Sequence, residues 1–422
     1  MRHLTAALFV ILLLAVPWMM YHPRQVSFFF STMQSLEGQL AAVILTHNPK
    51  TIAEIKSHYD SSGIFDVKSE KVRILLVPGH EPDYGGAEYG SLKERDMTVE
   101  LAKDLQQFLQ KNNRYEVFIT RDDKAWDPTF ANYWKTGWDD IIAWQKGHKD
   151  AIASMTSVGK FHSIKPSVVH LSAPADVALR LFGIGKWANE NNMDIIIHIH
   201  FNDIPGHAAS VPGKYSGFSI YVPQKDYYNS TTTKALADTV FKRLQRLNAI
   251  SDLPGESNGI VEDQDLIAIG ANNSVDAASM LIEYGYIYEP QFTDKSLRSK
   301  ALQDLAFQTY LGLQDFFEPR SPFAAVGSFD TLMMPYQWTE SMSRATADSS
   351  DVYALQTALV LDGVYPPDGR SLNDCPRTGA IGGCTKAALQ AFQDKYGISG
   401  EKGTVGAKTV EMLNKIYGGK AL

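Results

Sequence analysis

Between residues 72 and 317, short apolar runs alternate with segments of helical period, and this alternation restricts the fold more than any other feature of the chain. Val72–Val77 (VRILLV), Tyr115–Thr120 (YEVFIT), Asp194–His200 (DIIIHIH), Phe218–Val222 and Ser279–Glu283 (SMLIE) read as strands. Between the first two, Glu94–Asn112 places Met97, Leu101, Leu105, Phe108 and Leu109 at helical spacing. Further helices are predicted at Asp176–Asn189, capped by Asp176, at Thr231–Asn248, and at Thr293–Phe317 with Thr293 or Asp294 at its cap. Strands and helices in this order predict an α/β unit: a mostly parallel twisted sheet flanked by helices on both faces. Ligand sites in such sheets lie at the carboxyl ends of the strands.

The remaining sequence divides around this unit. Residues 1–24 read as a membrane anchor or signal segment: Arg2 and His3 precede an apolar run from Leu4 to Tyr21. The run is about 18 residues, the short end of a bilayer span. No small-residue cleavage site follows it, and Trp18 and Tyr21 suit a membrane interface. The expectation is an exported body on an uncleaved anchor, facing the periplasm or cell wall, with secretion as the alternative if the segment is cleaved. Residues 25–70 read as a connector, 71–318 as the α/β domain with an insertion at 124–173, and 319–350 as a linker holding Pro319, Pro322 and Pro335. Residues 351–422 form a separate all-α unit with an internal echo. Gly379–Leu389 and Gly403–Leu413 both read G-x-[IV]-G-x-x-T-x-x-x-L, which predicts two helices capped by Thr385 and Thr409. A third helix, Asp351–Asp362, ends at Gly363. The two cysteines, Cys375 and Cys384, lie in a part of the chain placed outside the cytoplasm, where a disulfide is expected.

A net charge of −7 and a pI of about 5.9 argue against nucleic acid as the main partner. Polar residues stand instead where a buried sheet should be apolar. His80 follows the first strand, Glu94 opens the first long helix, His198 and His200 interrupt an Ile-rich strand, and Glu283 ends another. Burying such groups costs several kcal/mol unless they are paired or bind metal. Two histidines and one carboxylate suit zinc with a fourth position open for water, the arrangement of a catalytic site. A second, uncoordinated carboxylate would move the proton.

In that order these residues resemble a known family. Val77-Pro78-Gly79-His80, Lys93-Glu94-Arg95-Asp96, Thr120-Arg121-Asp122, Ile197-His198-Ile199-His200-Phe201-Asn202 and Leu281-Ile282-Glu283-Tyr284-Gly285-Tyr286 are similar to the motifs of the zinc-dependent N-acetylmuramoyl-L-alanine amidases. The resemblance spans about residues 72–317, apart from the insertion. It implies Zn2+ as cofactor, His80, Glu94 and His200 as metal ligands, and Glu283 as the catalytic carboxylate. It implies peptidoglycan as substrate, cut at the amide between N-acetylmuramic acid and L-alanine. The family pattern Ser-x-His-x-Asn sets His198 at the Ser position and leaves His200 as ligand. Two departures stand out: Glu81 replaces the Gly common after the first His, and Tyr288-Glu289-Pro290 replaces the usual Asn after the Glu motif. The carboxyl-terminal unit resembles the three-helix peptidoglycan-binding domain through Leu355-Gln356, Gly379-x-x-Gly, Thr385, Phe392-Gln393, Gly403-x-x-Gly, Thr409 and Leu413.

Other readings stay open at this stage. In a different zinc amidohydrolase, both His198 and His200 bind metal; a non-catalytic wall-binding protein would need no intact site. The insertion gathers Trp126, Trp134, Trp138 and Trp144. It is either an extra helix with these rings as its core face or a lid that stacks on substrate.

Overall fold

The computed structural model describes residues 48–61, 70–170, 173–208, 210–269, 275–319, 332–339, 342 and 348–419. The predicted anchor at 1–24, most of the connector and most of the linker lie outside them. No described helix is long and apolar enough to cross a membrane.

The α/β unit runs α1 (Ile52–Ser61), β1 (Val72–Pro78), β2 (Glu88–Tyr89), β3 (Leu92–Lys93), α2 (Glu94–Gln110), β4 (Tyr115–Ile119), α3 (Pro128–Ser157), α4 (Ala175–Glu190), β5 (Ile195–Asn202), β6 (Ser219–Pro223), α5 (Ser230–Leu247), β7 (Ile260–Asp263), β8 (Ala278–Tyr286), α6 (Pro290–Thr293) and α7 (Arg298–Phe317). Six strands form one sheet in the order β4-β1-β5-β8-β6-β7. The first four are mutually parallel, β6 runs antiparallel to β8, and β7 is parallel to β6. The mostly parallel sheet read from the sequence is therefore present, with a reversed pair at one edge.

Alternation along β5 explains its composition. Ile195, Ile197, Ile199 and Phe201 enter the main core with α2, α5 and α7, while Ile196 packs with Leu75 and Val77 under α3 and α4. His198 and His200 therefore share the second face with Leu281 and Glu283 of β8. Each fully buried aliphatic side chain stabilises by about 1.5–3 kcal/mol, so the isoleucines on one face offset the cost of the polar groups on the other.

Several boundaries differ from the sequence reading. Asp176 lies inside the first turn of α4, not at its cap, which is Pro174; its carboxylate pairs with Arg180. The predicted closing helix starts later than expected: α7 begins at Arg298 with Leu297 at its cap, because Asp294 turns the chain by accepting from the Ser296 amide and hydroxyl, and a separate short helix, α6, ends at Thr293. Ile55 and Tyr59 of α1 are buried in the main core, so ordered packing begins ahead of residue 71. The insertion is a long helix, α3, packed on α4. Trp134 is buried, and Trp126, Trp138 and Trp144 lie against the same cluster, as the extra-helix reading expects.

The carboxyl-terminal unit contains α8 (Ser349–Asp362), α9 (Gly383–Lys395) and α10 (Ala407–Tyr417). Trp338 and Met342, from the segment read as linker, are buried in its core. Thr385 and Thr409 are not caps: Gly382 and Gly406 hold those positions, and each Thr sits within the first turn. Their hydroxyls instead meet two buried glutamines. Gln356 donates to Thr385 Oγ1 (2.9 Å) and accepts from the Gly379 amide (3.0 Å). Gln393 does the same with Thr409 (2.9 Å) and Gly403 (2.9 Å). The echo in sequence is thus an echo in hydrogen bonding. A disulfide joins Cys375 to Cys384. Within the loop it closes, buried Arg377 donates to Leu247 O (2.7 Å), Asn248 Oδ1 (3.1 Å) and Asp304 Oδ2 (2.8 Å) of the α/β unit.

Candidate active site and metal centre

Three chain segments meet at the carboxyl ends of β1 and β5. Pro78 and Gly79 carry the chain off β1 into His80, which takes a left-handed backbone (φ 69°) rare for a residue with a side chain. Arg121, buried at the end of β4, braces this turn by donating to the carbonyls of Pro78 and Gly79 and to Arg95 O (3.0 Å). Burial pulls its pKa down to about 10, so it stays charged. Glu94, 3% exposed, opens α2 from the short β2–β3 hairpin; its Oε2 accepts from the Ala87 amide (2.7 Å) and its Oε1 from the Phe201 amide (3.0 Å).

These constraints bring the expected ligands together. Glu94 Oε1 lies 2.8 Å from His80 Nε2 and 3.1 Å from His200 Nδ1. All three donor atoms fall within 4.8 Å of one another. His80 Nε2 is buried and, despite that approach, has no hydrogen bond. His80, Glu94 and His200 thus bring one candidate ligand atom each to the same place, as a metal would require. Two glycines make room. A Cβ on Gly79 would stand 2.3 Å from His200 Cε1, and one on Gly86 would stand 2.7 Å from His80 Cδ2 and 3.0 Å from Glu94 Oε2. Burial works against charge on Glu94, but His80 and His200 outweigh it and hold its carboxyl well below the ordinary range. Burial lowers His200, with Glu94 opposing, which keeps the imidazole neutral and able to ligate. Two imidazoles, one carboxylate and a shared focus fit zinc.

Glu283 is the pairing partner of His200 across β5 and β8. Its Oε2 is buried without a hydrogen bond. Burial, then the charges of Glu94 and Glu256, push its pKa well above the ordinary carboxylate value. His198 lies outside the three-residue group. It lines a small cavity with Leu181, Phe182 and Ile267, and burial followed by His200 pushes it down to about 3.

The sequence marked Glu81 only as a departure from the family pattern and gave no sign of Glu256. Glu81, 5% exposed, accepts from Trp126 Nε1 (3.1 Å) and Arg180 Nε (2.9 Å), which ties the residue after His80 to the insertion and to α4. Its appearance in place of the usual Gly was the available signal. Glu256 had none, since it lies in a polar turn.

Residues 158–315 match the family described as N-acetylmuramoyl-L-alanine amidase. The chain carries a domain of this family. The matched stretch of the amidase domain includes His200 and Glu283, while His80 and Glu94 precede it. Among solved structures, the CwlD amidase of Clostridioides difficile in complex with the GerS lipoprotein is 17% identical, with 59% of this chain and 100% of that one covered and a TM-score of 0.36. The AmiC2 amidase of Nostoc punctiforme is 15% identical, over 58% and 97% of the two chains, with a TM-score of 0.36. The apo Ami1 amidase of Mycobacterium abscessus is 17% identical, over 58% and 98%, with a TM-score of 0.38. No match was found among curated proteins.

Proposed function

We propose that the amidase domain hydrolyses the peptidoglycan amide between N-acetylmuramic acid and L-alanine, with zinc held by His80, Glu94 and His200 and with Glu283 as the proton-transferring carboxylate. The observation that carries the zinc assignment is the shared focus of His80 Nε2, His200 Nδ1 and Glu94 Oε1. Zinc bound there supplies Lewis acidity, acidifying water and polarising a carbonyl oxygen.

The chain's own residues do the rest. Glu94 Oε1 is fixed by the Phe201 amide, so the carboxylate presents one oxygen to both imidazoles. Glu283, beside His200 on the next strand, takes the proton of the attacking water on its carboxylate and returns it to the departing amide nitrogen. A raised pKa suits both transfers, because it strengthens the base and keeps the acid form accessible near neutrality. The packed, apolar surroundings of His198 favour this reading over a hydrolase that ligates through both strand histidines.

The same proposal extends to the flanking regions. The amino-terminal segment holds the enzyme at a membrane with its body exported. The three-helix unit binds the wall polymer, as its resemblance implies. One variant tests the chemistry. Glu283→Gln in the full chain should lower the appearance of new L-alanine amino termini in purified peptidoglycan by about 10²–10⁴-fold, with bound zinc unchanged. A variant that keeps wild-type turnover would remove Glu283 from the mechanism. Zinc binding without any such termini in the wild type would point to another substrate.

A further inference from the structure

Glu256 lies in the turn between α5 and β7 and is fully buried. No cation pairs with it among the described residues; side-chain amide and hydroxyl groups surround it instead. Asn202 Nδ2 (3.1 Å) and the Tyr221 hydroxyl donate to its Oε1. The Ser251 hydroxyl and the Tyr286 hydroxyl (3.4 Å) donate to its Oε2. A buried carboxylate is costly to maintain even when hydrogen-bonded. A neutral side chain would fill a merely structural turn with less penalty.

Its donors explain the position. β5 and β8 pair in regular register up to His200 and Glu283, and then the register shifts. The next pair is Asn202 with Tyr286, one residue out of step. The backbone ladder therefore fails just beyond the two residues that the site most needs to hold. Asn202 and Tyr286, the pair on the far side of that bulge, both bond to Glu256. Tyr221, on the strand antiparallel to β8, closes the set from the third side.

We propose that Glu256 is a positioning residue: its carboxylate locks Asn202 to Tyr286 across the bulge and so fixes His200 and Glu283 relative to each other. It touches neither metal nor substrate. The catalytic half of this inference rests on the amidase reading above; the metal half does not.

The test uses the full chain as wild type, Glu256→Ala and Glu256→Gln, with zinc affinity measured by competition against a chromophoric chelator. In Glu256→Ala, zinc affinity should fall about tenfold, and kcat of the zinc-saturated protein on soluble peptidoglycan fragments should fall about 10–100-fold. KM should stay within about twofold, because the loss is in geometry and not in substrate binding. Glu256→Gln, which accepts on one oxygen only, should fall between wild type and alanine on both readouts. If the alanine variant does not fold, Glu256→Gln combined with Tyr286→Phe takes its place. A folded variant that loses thermal stability but keeps wild-type zinc affinity and kcat would overturn the proposal. If the wild type shows no amidase activity, the amidase reading fails, while the zinc competition still decides the role of Glu256.

Discussion

In the carboxyl-terminal unit, Gln356 and Gln393 each use both halves of the amide, donating to a threonine hydroxyl and accepting from a glycine amide. At the strand ends of the amidase domain, the atoms His80 Nε2 and Glu283 Oε2 are shut off from solvent yet have no hydrogen bond. Both regions pay to bury polarity, but only the first recovers the cost within the chain. A polar network that closes on itself specifies a fold. One left open, at the mouth of a sheet, specifies something that must come from outside.

The contrast can be broken most directly at the metal centre. His200→Ala should bring peptidoglycan hydrolysis to background and remove stoichiometric zinc, measured by activity and by metal analysis of the purified protein. If both survived, His200 would not be a ligand and the open network would need another explanation. In the closed network the effect should fall on stability and spare chemistry. Gln393→Leu leaves the Thr409 hydroxyl and the Gly403 amide without that partner, and should cost about 1–3 kcal/mol in urea unfolding while zinc content stays at wild type. A loss of zinc in that variant would show that the two networks are not independent.

A smaller effect sharpens the comparison away from both networks. Burial, and then the charge of Glu100, raise the pKa of Asp104 on α2 to about 6. The folded state thus holds a proton that the unfolded state has released, and stability falls as pH rises from the ordinary Asp value through 6. Asp104→Asn should therefore stabilise the protein above pH 6 by about 1 kcal/mol, after discounting for its partial exposure. The gain should vanish below pH 4; a gain that persisted there would not come from the carboxylate.

Much of this was legible in the residues. DIIIHIH could be read because isoleucines on one pleat face announce a core, and histidines on the other have no reason to be there without a partner. The Trp-rich insertion was only half legible: its rings suited either a core face or a lid, and the packing of α3 on α4 supplies the core face. β7 (IVED) escaped because four residues, half of them charged, carry no readable period. Thr385 and Thr409 were misplaced as caps because a helix start with an extended glycine leaves no side-chain mark. Their true partners, Gln356 and Gln393, are distant in sequence, and no local rule joins them. Glu256 escaped for a similar reason. Asp252-Leu253-Pro254-Gly255-Glu256 reads as a solvated turn, and only the register slip between β5 and β8 gives its carboxylate a purpose.

The seat of Arg377 has a mechanical consequence. Its guanidinium grips the end of α5 and the side of α7 from inside a loop cross-linked by Cys375 and Cys384. Tension applied through the carboxyl-terminal unit therefore passes into the helices that back the sheet, in parallel with whatever the intervening residues carry. Under the proposed wall binding by that unit, strain in the polymer would reach the catalytic domain.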